Sequence, residues 1–92
     1  MTVPEFQYDG KFHLVVHEAK RWWHPRTAFV EDVVALWWTM GFPIAHLHEA
    51  MARAERAGNI KVIHQLDGAP RLIKDLRPGK WVDPDGDTAG AG

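Results

Sequence analysis

His13 and His17 stand four residues apart. On a helix that spacing puts two imidazoles on one face, as a shared metal ion would need. "HEAKR" (17–21) and "HEAMA" (48–52) each set a glutamate beside a histidine, and both lack the second histidine of a zinc-protease helix. The chain has no cysteine and no serine. Thiolate metal sites and disulfides are thereby excluded, and the two commonest catalytic nucleophiles are missing. With no third ligand in view, the histidine pair predicts neither a metal site nor a cofactor. The adjacent acids Glu31 and Asp32 suit the start of a helix better than general acid–base work. No glycine-rich stretch is built to cradle a phosphate, and the chain is not expected to be an enzyme.

The remaining polar residues with chemistry to offer are basic ones, and they are unevenly spread. Net charge is −1. Residues 1–43 hold four Lys/Arg against five Asp/Glu, residues 44–82 hold seven against four, and residues 83–92 hold three Asp and no base. The positive excess is compatible with nucleic acid, although dedicated DNA binders are often far more basic.

The elements that must position these residues follow from periodicity and breakers. After the turn signal "QYDGK", Phe12, Val15, Val16, Ala19, Trp22 and Trp23 recur at helical steps, and Pro25 closes the segment. "RTAFV" (26–30) is short and extended in character. Val30, Val33, Val34, Trp37 and Met40 form the stripe of a second helix, with Gly41 as its stop. A third helix over 44–57 turns Ile44, Leu47, Met51 and Ala54 inward. The wheel then sets Ala45, His46, Glu49, Ala52, Arg53 and Arg56 outward. Strands at 60–66 and 69–76 flank Asp67-Gly68, a two-residue hairpin turn. With that turn His64 faces Arg71, Ile63 faces Leu72 and Val62 faces Ile73, so each face of the hairpin carries an apolar pair. One pair packs on the helices; the other lies under Trp81 or is offered to a partner, and Val62–Ile73 is expected beneath the C-terminal segment.

The order helix, extended piece, helix, tight turn, helix, hairpin is similar to that of a winged helix-turn-helix domain. The most family-like stretch is "EAMARAERAGNIKVI" (49–63), which resembles the recognition helix of bacterial winged-helix regulators running through an Ala-Gly stop into the wing. The adjacent tryptophans of "DVVALWWTMGF" depart from the family, which usually has small apolar residues there. The resemblance implies a mainly α fold with a small β-hairpin: a three-helix winged helix-turn-helix over residues 12–82, after an N-terminal extension (1–11) and before a disordered acidic Gly/Ala tail (83–92). It also implies duplex DNA as partner and a role in transcription regulation. The third helix would enter the major groove with His46, Glu49, Arg53 and Arg56, and the wing would bring His64, Arg71 and Lys74 to the backbone.

Five tryptophans in 92 residues exceed what so small a core can hold. In each adjacent pair the second ring is rotated about 100° from the first. Trp22, Trp23 and Trp38 are expected at a contact surface, whether with a second copy or with another protein. The alternative function is therefore a winged-helix module, encoded by a phage or its host, that binds a protein and no DNA. The N-terminus lacks the pattern of a signal peptide and no apolar run matches a bilayer, so a soluble cytoplasmic protein is expected.

Overall fold

Asp9 opens the first helix of the computed structural model, which describes residues 7–85. Residues 1–6 and 86–92, and with them most of the expected extension and tail, lie outside the described residues. Helix α1 (Asp9–Ala19) carries an acid in its first turn and buries Phe12, Val15 and Val16. It ends earlier than the apolar stripe predicts. Lys20 turns extended, and its ammonium reaches Asp75 on the central strand of the sheet. Trp22 and Trp23 consequently lie in the loop after the helix and not on its stripe.

Strand β1 (Thr27–Phe29) runs directly into α2 (Val30–Thr39), which buries Val30, Val33 and Trp37. Met40, expected on that stripe, is exposed. The fully buried Trp37 keeps its indole N–H satisfied by donating to the Pro43 carbonyl at 2.8 Å. Helix α3 (Ile44–Arg56) buries Leu47, Ala50, Met51 and Ala54. Its end is a Schellman closure. Gly58 adopts φ +81°, its N–H donates to Glu55 O, and Asn59 N–H donates to Ala54 O.

Strands β2 (Ile60–His64) and β3 (Pro70–Asp75) pair antiparallel, with Val62 opposite Ile73 and Ile63 opposite Leu72 as the turn dipeptide predicts. His64 departs from the expected register. It faces Pro70 across an irregularity at Ile63/His64, not Arg71. The cause lies in the turn. A two-residue turn of the expected kind needs positive φ at both central residues, and only Gly68 has it, at +90°. Gly68 N–H bonds to Gln65 O and Gln65 N–H to Ala69 O, so the loop is longer than Asp67-Gly68.

The expected hairpin is in fact part of a larger sheet. β1 joins the free side of β3 to give three antiparallel strands in the order β1-β3-β2. The fold is three helices on one face of a three-stranded antiparallel sheet, a mixed α/β arrangement in place of the mainly α one expected. Ala28, Ile60, Val62 and Ile73 point inward to meet Phe12, Val15, Val16, Val33, Trp37 and Leu47 in one core. Val62 and Ile73 thus belong to the helix-facing side, and Trp81 of the C-terminal segment packs against the same core.

That segment is tied down. Trp81 packs flat on His13, centroids 4.3 Å apart, and donates its indole N–H to Asp75. The buried Asn59 side chain donates to Val82 O and accepts from Val82 N–H, both at 2.8 Å. Asp85 reaches Arg53. Among the described residues no helix is long and apolar enough to cross a membrane.

Candidate nucleic-acid interface

Helix α3 presents Ala45, His48, Glu49, Ala52 and Arg56 to solvent. Two residues expected on this face are turned aside. His46 is half-buried and lies against Tyr8, rings 4.6 Å apart and nearly parallel. Arg53 points toward the start of α1. Its Nε and Nη2 donate to both Asp9 carboxylate oxygens, at 3.0 and 2.8 Å, and Nη2 also donates to Asp85 at 2.7 Å. This bidentate grip by Asp9, with Asp85 behind it, raises the guanidinium above its ordinary range against the cost of its partial burial. The wheel placed Arg53 outward because it counts only the helix. The two acids that claim it lie 44 and 32 residues away in sequence. Asp9, Asp83 and Asp85 bring carboxylate oxygens within 4.8 Å of one another, and Arg53 supplies the countercharge for two of them.

The outward face of α3 therefore offers Arg56 and His48 beside Glu49, with no excess of positive charge. Glu55, also exposed, is engaged as an acceptor from Val62 N–H at 3.1 Å. Because Val62 N–H belongs to the outer edge of β2, this carboxylate closes the sheet edge at that residue.

The hairpin keeps His64, Arg71 and Lys74 exposed. Arg71 lines a shallow depression with Phe29, Glu31, Gln65 and Pro70, which sets the hairpin loop beside the first turn of α2. Lys74 sits apart, on the sheet face that points away from the helices, directly opposite Lys61. Lys61 was not among the candidates, although the register read from the turn dipeptide pairs it with Lys74.

Trp37 is core, Trp81 is half-buried, and Trp22, Trp23 and Trp38 are 88%, 51% and 71% exposed. Trp22 and Trp23 meet edge to face at 5.5 Å. Arg21 lies 5.6 Å over Trp23 and 5.0 Å over Phe29, and its guanidinium bonds Asp32. Of the histidine pair, His17 is exposed, while His13 lies against Trp81 with burial pushing its pKa down. Comparison of the chain with protein families, with curated proteins and with solved structures gives no match.

Proposed function

We propose that the chain is a winged helix-turn-helix module that binds duplex DNA, with α3 as the groove helix and the β2–β3 hairpin as the wing. The element order α1-β1-α2-α3-β2-β3 with sheet order β1-β3-β2 carries this reading. It leaves one face of α3 uncovered and puts a basic hairpin next to it. His48, Glu49 and Arg56 are the groove contacts, and His64 and Arg71 the backbone contacts. Arg53, held by Asp9 and Asp85, supports the helix and does not read bases. A transcription-regulating role follows from this reading and stands or falls with it.

The test is fluorescence anisotropy on random duplex at low and moderate salt. Arg71→Ala weakens binding and lowers the salt slope by about one, as the loss of a backbone contact does, whereas Arg56→Ala weakens binding with a smaller change in slope. Glu49→Gln strengthens it, by removing a like charge from the phosphates. Binding that is absent at low salt, or indifferent to salt, overturns the DNA reading. A second reading is favoured by the exposure of Trp22, Trp23 and Trp38, large apolar surface of the kind found at protein contacts. In it the module binds a protein and no DNA.

A further inference from the structure

The three strands alternate, so everything that does not face the helices faces out. The outward positions form two rows across the sheet. Phe29, Leu72 and Ile63 are cross-strand partners in one row, and Thr27, Lys74 and Lys61 in the next. Leu76, just past β3, adds exposed apolar surface beyond them. No acid stands in either row. Lys61 and Lys74 are directly opposed like charges, an arrangement that costs stability. Among the described residues neither has an ion-pair partner. At the end of the apolar row the Arg21 guanidinium lies over Phe29 and against Trp23.

We propose that this outer sheet face docks an acidic amphipathic helix of a partner protein, its apolar stripe on Phe29, Leu72 and Ile63 and its carboxylates on Lys61 and Lys74. The proposal does not rest on DNA binding by α3. An apolar sheet face is ordinarily covered by a helix or a second sheet, and here the described residues supply neither. Strand addition on the β2 edge is disfavoured because Glu55 occupies the Val62 N–H there. A second copy is a poor occupant, since face-to-face pairing would bring four lysines together. The chain's own acidic end is also a poor one. Asp85 is already on Arg53, and the residues after it, "GDTAGAG", carry no large apolar side chain. Duplex DNA would satisfy the lysines and leave the aliphatic row unused.

The probe is a fluorescein-labelled Leu/Glu amphipathic peptide of about 18 residues, long enough to form a helix, titrated with the full chain and followed by anisotropy. A Leu/Lys peptide of the same pattern is the control. The parent is expected to bind the Glu peptide saturably, more weakly as salt rises, and to ignore the Lys peptide. The double variant Lys61→Glu/Lys74→Glu should lose at least about tenfold in affinity and take up the Lys peptide instead. Ile63→Ser should also lose about tenfold, by removing an apolar anchor. All three substituted residues are exposed, and circular dichroism checks that both variants fold. Arg56→Ala on α3 should bind the peptide like the parent, which separates this proposal from the DNA reading. Failure of the parent to bind the Glu peptide overturns the proposal. So does equal binding of the Lys peptide, or indifference to the double variant. Duplex binding that depends on Lys61 and Lys74 with no peptide binding makes the face a nucleic-acid surface and overturns it equally.

Discussion

Neighbours on β3 have opposite fates. Ile73 is fully buried and Leu72 only partly; Asp75 is buried and Lys74 exposed. One strand thus carries a core face that contains a charge and an open face that contains a hydrophobe. The difference is set by what lies opposite. The inner face meets the helices, and Asp75 is tolerated there because Lys20, Trp81 and the Arg77 N–H all donate to it. The outer face has no covering layer among the described residues beyond Arg21 over the Phe29 ring, so Leu72 and Ile63 stay partly in water. Polarity alone does not assign a side; hydrogen-bond partners and a covering layer do.

The largest way to break this contrast is Asp75→Ala. It leaves the Lys20 ammonium, whose side chain is only 10% exposed, buried without its partner. It also orphans the Trp81 indole. A loss of about 3–5 kcal/mol is expected by urea unfolding, the usual cost of removing one half of a buried pair. The same group makes stability depend on pH. Burial alone would raise the Asp75 carboxyl, but the bonds from Lys20, Trp81 and Arg77 outweigh it and hold the pKa below its ordinary value. A depressed carboxylate stabilises the fold fully above its unfolded pKa of about 3.9 and loses that contribution as pH falls through the folded value. The stability gap between parent and Asp75→Ala should therefore be wide at pH 7 and close in acid below about pH 4. A gap that stays constant into that range would mean the carboxylate is not what holds the pair.

Next in size is Ile73→Ala, which opens a cavity against the helices and should cost about 3 kcal/mol in the same assay.

How far these faces were legible in the sequence depends on the range of the interaction that set them. The α3 stripe Leu47, Met51 and Ala54, and the pairing of Val62 with Ile73, follow from local periodicity and one turn dipeptide. The early end of α1 was not legible. Trp22 and Trp23 continue its stripe, but Lys20 turns extended and carries its ammonium to Asp75, 55 residues away. The same holds for Arg53, which a wheel turns outward and Asp9 and Asp85 turn in. "RTAFV" was read as extended, but joining β3 as a third strand is a non-local pairing that a three-residue segment cannot announce. The proposed wing residues His64 and Arg71 were found as exposed because turn-proximal residues usually are. The bulge that separates them needed the observed φ angles.

The smallest expected effect is the sharpest test of the comparison. Leu72 is adjacent to Ile73 and of the same volume, yet it stands in the outer row. Its cross-strand neighbours Phe29 and Ile63 are worth a few tenths of a kcal/mol each, the usual scale for such pairs. Leu72→Ala should therefore cost about 0.5 kcal/mol, several-fold less than Ile73→Ala. The measurement is made at two protein concentrations well separated from one another. A small cost at both means the outer face is open in the isolated chain, as a docking surface must be. A cost that approaches that of Ile73→Ala, and grows with protein concentration, means copies of the chain already cover the face. The lysine argument against self-pairing would then fail, and the partner would be the chain itself.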